Sequence, residues 1–242
     1  MNNYPEAQDV KSYLDDRLNQ ESQEFFQFGY FPNTNNIQVL SDLVGEDMLL
    51  QDELLYHKNV EDSLFPRRFK FCYFENHPLA MPFRDPYGNI MGLVCRTLLP
   101  ESEFKARKIS KYKNTKFEKG HCVFGLYENK RAILEQNSVY VVEGQFDVIK
   151  AYQIGFRNVV GIGNNCMTSY QFSVISRYTN NIFLLLDNDD AGKRGRERTL
   201  DKFGQLANIR NFYIPESFKD IDEYITKDQI GDYADLSFVV KD

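Results

Sequence analysis

Two short acidic clusters each follow a strand-like apolar run. Glu143-Gly144-Gln145-Phe146-Asp147 comes directly after Val139 to Val142, and Asp187-Asn188-Asp189-Asp190-Ala191-Gly192 after Ile182 to Leu186. Past Pro215 come Asp220 and Asp222. Carboxylates gathered within a few ångströms repel, and their pKa values rise unless a cation sits among them. Oxygen ligands with no His or Cys nearby select Mg²⁺ or Mn²⁺. Gly144 and Gly192 follow the acids where a turn brings backbone close to a ligand and a Cβ would obstruct it. Each cluster taken singly also reads as an acidic turn at a strand end. Two in register at one sheet edge point to metal.

A second chemistry is carried by cations. Residues 105–119 hold Lys105, Arg107, Lys108, Lys111, Lys113, Lys116 and Lys119 against Glu118 alone, with Tyr112 and Phe117 interleaved. Cations that track a backbone and rings that stack on bases are what a single nucleic-acid strand requires. A solvated loop without a partner fits the same residues. Lys193, Arg194, Arg196 and Arg198 face only Glu197. Cations at a helix start oppose the helix dipole, so a phosphate partner accounts for them.

The elements that must position these groups alternate regularly from Ser138 onward. Strands are expected at Val139 to Val142, Asn158 to Ile162, Ile182 to Leu186 and Ile209 to Ile214. Helices are expected at Gln145 to Ile154, from the capping box Thr168-Ser169-Tyr170-Gln171 to about Tyr178, and at Lys193 to Phe203. Strands alternating with helices imply a parallel sheet with right-handed crossovers, whose sites lie beyond the carboxyl ends of the strands. If the first and third strands are neighbours, Glu143, Asp187 and Asp189 converge, with Asp147 one helical turn from Glu143. Upstream, the first sixty residues read as short helices with a solvated acidic surface, Asp42, Glu46, Asp47, Asp52, Glu53, Glu61 and Asp62 among them. Asp85-Pro86-Tyr87-Gly88-Asn89 between two apolar runs signals a hairpin in a small mixed sheet. The expected ranges are 1–135 for a mixed α/β subdomain with a basic face, 136–228 for the parallel-sheet domain and 229–242 for a tail.

Composition narrows the class. The 242 residues carry 29 Lys+Arg against 35 Asp+Glu, a formal charge of −6, with 42% hydrophobic residues. These are the fractions of an ordinary globular protein. Net acidity alone speaks against nucleic acid, but residues 105–119 sum to +6 and residues 193–198 to +3, leaving −15 for the remainder. The distribution of charge therefore carries the signal. Cys72, Cys95, Cys122 and Cys166 form no C-x-x-C pair and share no ligand spacing with His57, His77 or His121, so neither zinc nor a disulfide framework is expected. A His121–Cys122 base and nucleophile is disfavoured because neighbours on a strand face opposite ways. No apolar run approaches the roughly 20 residues that span a bilayer, and the start Met1-Asn2-Asn3-Tyr4-Pro5 lacks a basic-then-apolar leader, which leads to an expected cytoplasmic location without membrane contact.

The motif Glu143-Gly144-x-x-Asp147 followed by Asp187-x-Asp189-x-Ala191-Gly192 resembles the Toprim domain of bacterial-type (DnaG-like) primases, type IA and type II topoisomerases and several nucleases. Upstream, Arg84-Asp85-x-x-Gly88-x-Ile90-x-Gly92, Arg96, Lys111-Tyr112-x-Asn114, Phe117-x-Lys119-Gly120 and Phe124-Gly125-Leu126 resemble the basic half of the bacterial primase catalytic core. Tyr13-Leu14-x-x-Arg17 and Phe28-Gly29-Tyr30 fit its start. The resemblance implies a Toprim-type parallel sheet with flanking helices, preceded by a smaller mixed α/β basic subdomain. It implies that Glu143, Asp187 and Asp189 bind catalytic Mg²⁺ or Mn²⁺, with Asp147, Asp220 and Asp222 as further acids of the site. Arg84, Arg96, Lys111, Tyr112, Asn114 and Lys119 would hold template and nucleotide, joined by Lys193 and Arg194.

The activity so implied is primer synthesis: an RNA 3′-hydroxyl attacks the α-phosphate of an NTP on a single-stranded DNA template and pyrophosphate leaves. Cellular members carry an amino-terminal zinc-binding domain and a carboxyl-terminal helicase-docking domain, and neither is matched here. That implies a trimmed, phage-like form in a host cytoplasm, with a replicative helicase or a separate zinc-binding, template-selecting protein as partner. A Toprim-type metal-dependent nuclease and a non-catalytic DNA-binding replication factor are the competing readings. A type IA topoisomerase is excluded on length.

Overall fold

The computed structural model describes residues 4–60 and 67–241, so Glu61 and Asp62 of the expected acidic surface lie outside the described residues. The chain forms two compact units. One comprises Met1–Arg17, Gln27–Pro82 and Gly92–Lys116, the other Leu18–Phe26, Phe83–Met91 and Phe117–Asp242. This division differs from the expected boundary at residue 135. Two short helices open the chain, α1 (Gln8–Asp15) in the first unit and α2 (Gln20–Phe26) in the second. The ring of Phe25 in α2 stacks on Tyr152 at 4.6 Å, and Phe26 stacks on Phe124 at 5.8 Å, which ties α2 to the second unit.

In the first unit, α1 buries Val10 and Leu14, four residues apart on one face. Then come β1 (Gly29–Tyr30), α3 (Ile37–Val44) and α4 (Glu46–Gln51). Gly45, at φ +86°, makes the break between the two helices. The strands β2 (Leu55–Val60) and β3 (Arg67–Cys72) pair antiparallel, Leu55 opposite Cys72. A four-stranded sheet runs β1, β4 (Leu79–Arg84), β5 (Ile90–Arg96), β6 (Tyr112–Asn114), with α5 (Glu101–Ala106) between the last two. Phe31, Ile37, Leu49, Leu55, Cys72, Phe74, Ala80 and Cys95 form its core. The expected hairpin turn is present between β4 and β5, in the segment Phe83–Met91 that belongs to the second unit. There Asp85 Oδ1 accepts from the N–H groups of Tyr87 at 2.8 Å and Asn89 at 2.9 Å, and Gly88 takes φ +99°.

The second unit contains α6 (Leu126–Gln136), β7 (Val139–Val142), α7 (Gln145–Gln153), β8 (Val159–Gly161), α8 (Ser169–Ile175), β9 (Asn181–Leu184), α9 (Asp190–Phe203), β10 (Asn208–Tyr213), α10 (Ile221–Lys227) and β11 (Val239–Lys241). The sheet order is β11-β10-β9-β7-β8. The pairs β7/β8, β7/β9 and β9/β10 are parallel, so the strands preceding the two acidic clusters are neighbours, Val141 opposite Leu184. β11 adds an antiparallel edge within the expected tail. Alternation sends Val139, Val141, Ile182 and Leu184 into one core with Leu126, Ile133, Val174 and Phe203. Each such side chain contributes about 1.5–3 kcal/mol by leaving water. On the other face Phe183 meets Tyr140 at 5.0 Å and Phe212 at 4.8 Å. Among the described residues no helix is long and apolar enough to cross a membrane.

Candidate active site

The carboxylates stand where the parallel strands end. Glu143 follows β7, and its Oε1 accepts from the N–H of Asp187, which comes three residues after β9, at 3.3 Å. The strand pairing thus brings the two clusters together. Asp189 caps α9, accepting from Gly192 N–H at 2.9 Å, and Asp220 caps α10, accepting from Glu223 N–H at 2.8 Å. Asp147 is turned inward and buried. Its Oδ2 accepts from Gly144 N–H at 2.9 Å and its Oδ1 from Asp222 N–H at 3.2 Å, so one carboxyl joins the starts of α7 and α10. The side chain of Asp222 faces Thr226 Oγ1 at 3.4 Å.

The electrostatics are those of crowded acids. Burial, then the charges of Asp187 and Asp189, push the Glu143 carboxyl up to about 7. Burial, then Asp220, Asp187 and Asp222, push Asp147 up to about 8. Asp187 is also raised by burial, against the opposing pull of Lys219. Lys219 Nζ lies 2.8 Å from Asp187 Oδ2 and 3.6 Å from Asp220 Oδ2. Burial disfavours its charge, but the hydrogen bond to Asp187 and the surrounding acids hold it well above the usual lysine range. Among the described residues no three Asp, Glu, His or Cys side chains are already arranged around a metal position. The donor set nevertheless fits a hard divalent cation: all oxygen, partly desolvated, and carrying more negative charge than one ammonium balances.

Reading the sequence missed the groups that brace these loops. Arg196, expected with the phosphate-facing cations, is 1% exposed. Its Nη1 donates to the Asp187 carbonyl at 3.0 Å, its Nη2 to the Leu186 carbonyl, and its guanidinium covers the Tyr213 ring at 4.4 Å. Arg196 is thus accounted for by backbone carbonyls rather than by the expected phosphate partner. Gly192 lies inside α9 and meets backbone rather than a ligand: a Cβ there would stand 2.1 Å from the Asp187 carbonyl oxygen, and one on Gly195 1.6 Å from that of Asn165. The Gly-x-x-Gly spacing was the available signal. Asn188, between the acids, donates from Nδ2 to the Phe218 carbonyl at 2.9 Å and from its N–H to the Lys219 carbonyl at 2.8 Å.

The expected nucleic-acid residues are distributed over both units. In the first, Arg96 Nη1 donates to the Tyr112 hydroxyl at 2.7 Å, and the Arg96 guanidinium lies 5.4 Å from the ring centroids of both Tyr13 and Tyr112. Lys111 Nζ is 5.6 Å from the Tyr112 ring, and Asn114 sits half-buried in β6 with its Oδ1 unpaired. The basic run around them is less available than its composition implies. Lys113 donates to the Tyr73 carbonyl at 2.6 Å, Lys116 pairs with Glu53, and Lys105 and Arg107 pair with Glu101 and Glu103.

In the second unit, Arg84 forms an ion pair with Glu128 at 2.9 Å, both side chains buried. Lys119 packs beneath Gly163, and burial lowers its pKa. Lys193 and Arg194 are exposed on α9, with Lys193 3.6 Å from Asp190. His121 pairs with Glu118 and lies beside the Tyr170 ring, while Cys122 is buried.

Comparison with known proteins gives the family context. Residues 2–130 match the family described as DNA primase catalytic core, N-terminal domain, and residues 140–225 match the Toprim-like family. A DNA primase of Aquifex aeolicus (strain VF5) is 30% identical over 208 residues, covering 83% of this chain and 38% of that protein. The chain thus spans well under half of that relative. The solved E. coli primase catalytic core superposes with a TM-score of 0.72 at 25% identity, over 93% of this chain and 71% of that one. A DnaG primase catalytic domain bound to single-stranded DNA shares the fold, with a TM-score of 0.73 at 24% identity, over 93% and 71%.

Proposed function

Because the chain belongs to the DNA primase catalytic core family, we propose that it synthesises short RNA primers on single-stranded DNA by nucleotidyl transfer that depends on Mg²⁺ or Mn²⁺. The observation that carries this reading is the crowding of Glu143, Asp187 and Asp189 at the carboxyl ends of neighbouring parallel strands. These residues, with Asp220 beside them, would hold the divalent ions. When bound, such ions neutralise charge on the triphosphate and lower the pKa of the attacking hydroxyl.

The side chains of the protein do the positioning. Glu143 is fixed against the Asp187 backbone, Asp147 anchors the starts of α7 and α10, and Asp222 contributes its N–H to that anchor. Lys193 and Arg194 present unburied charge to phosphates from α9. On the first unit, Arg96, Lys111, Tyr112 and Asn114 offer cations and a ring suited to template. Arg84 acts by supporting the fold through Glu128, and Lys119 by a half-buried charge. The partners are the single-stranded DNA template and NTPs, with a replicative helicase or a zinc-binding, template-selecting protein as further partners, in the cytoplasm. The related DnaG domain solved with single-stranded DNA supports the template assignment.

The test is direct. Single-stranded template, NTPs and Mg²⁺ or Mn²⁺ should yield short RNA, and Asp187→Asn or Glu143→Gln should abolish it. Degradation of the template in place of synthesis, or undiminished synthesis by Asp187→Asn, would overturn the reading.

A further inference from the structure

The acidic end of the parallel sheet already contains a cation that belongs to the chain. Lys219 Nζ lies 2.8 Å from Asp187 Oδ2 and 3.6 Å from Asp220 Oδ2. Asp187 and Asp189 in turn act on the Glu143 carboxyl, and Asp189 acts on that of Asp187.

The backbone of Lys219 is held from both sides. Its carbonyl accepts from Asn188 N–H at 2.8 Å, and its N–H donates to Glu223 Oε2 at 2.6 Å. Asn188 Nδ2 binds the preceding carbonyl, that of Phe218, at 2.9 Å. Asn188 stands between Asp187 and Asp189, so the loop that supplies the acids also fixes the base of the lysine. The side chain itself is 58% exposed, against 12% for Asp187. A flexible four-carbon stem on a fixed anchor can withdraw without disturbing the loops. Lys193 makes the contrast, an exposed lysine 3.6 Å from Asp190 alone.

We propose that Lys219 is the resident counter-ion of the acidic site, and that a divalent cation binding Asp187 displaces it. This rests on the metal-dependent reading above. The ammonium and a divalent ion would compete for the Asp187 carboxylate, so the metal-free protein is kept from accumulating unopposed carboxylates at this edge. The cost is weaker metal binding than the acids alone would give.

The experiment compares the whole chain with Lys219→Met, Lys219→Arg and Lys202→Met, measuring metal-free thermal unfolding and calorimetric Mn²⁺ titration, with Asp187→Asn defining site-specific binding. Lys219→Met should melt lower than wild type without metal and bind Mn²⁺ about tenfold more tightly, while Lys202→Met, at an exposed position of α9, changes neither. Lys219→Arg should retain the metal-free stability and bind Mn²⁺ more weakly than wild type, because a guanidinium grips Asp187 with a planar fork. Should the methionine variant not fold, the arginine variant decides, and unchanged Mn²⁺ affinity there overturns the proposal. Binding to wild type that Asp187→Asn abolishes, together with Lys219→Met no tighter than wild type, overturns the exchange and leaves the metal reading standing. Absence of any binding sensitive to Asp187→Asn removes both.

Discussion

The Arg196 guanidinium donates to the main-chain carbonyl of Asp187 at 3.0 Å, and so braces the backbone of that acid. A second donor reaches the Leu186 carbonyl. Arg196→Met should therefore leave two carbonyls unsatisfied in a buried site and lower unfolding stability by about 3 kcal/mol. Urea denaturation measures this. Arg196→Lys should recover little, since a single ammonium cannot span both acceptors. Loss of DNA affinity with full stability would instead place Arg196 among the phosphate contacts.

The Arg84–Glu128 pair predicts an asymmetric response. Burial raises the Glu128 carboxyl and the Arg84 charge opposes that rise. Arg84→Met strands a buried carboxylate and should cost about 3–5 kcal/mol, and adding Glu128→Gln should restore part of it. A double variant no more stable than the single one refutes this account.

His77 gives the pH dependence. Its Nε2 lies 2.8 Å from the Ser110 carbonyl, and burial holds its pKa below the ordinary 6.5. Protonation therefore favours the unfolded chain. The contribution of the neutral ring is complete above about 6.5 and is lost as pH falls through the lowered folded-state value. The melting temperature of the wild type relative to His77→Gln should drop between pH 7.5 and pH 5, set against the opposite trend that protonation of the raised Glu143 and Asp147 carboxyls gives both proteins. Equal slopes for the two proteins would leave His77 without a part in the pH dependence.

Lys193 and Arg194 should behave as phosphate contacts. Their joint replacement by Ala should weaken single-stranded DNA binding and flatten log K against log salt by about 0.7 for each phosphate no longer neutralised. Stability should stay within about 0.5 kcal/mol, as for other exposed positions. An unaltered salt slope would move the template path elsewhere.

The legible parts of this protein were those where one physical demand dominates. β7 and β9 are apolar runs because parallel strands are covered on both faces, and α8 began at its capping box as expected. The acids were found because sheets of this kind gather function beyond their carboxyl ends. That β7 and β9 are neighbours could be posed only as a condition, since adjacency is a tertiary fact. β11 has three residues and no bounding turn signal, so only its pairing with β10 reveals it. Arg196 misled because a charged residue type reads as surface until two carbonyls are seen to receive it. Lys219 carries no spacing pattern, and its place follows from the hydrogen bonds that Asn188 makes.

The chain passes between its two units at residues 17/18, 26/27, 82/83, 91/92 and 116/117. No single genetic crossover within that stretch can therefore exchange one unit for that of a relative intact. A recombinant joined there inherits strands or helices of mixed parentage in at least one unit, whose packing partners were never selected together. Variation that survives in α2 and the β4–β5 turn should therefore track variation in residues 117–242, with which they share a unit.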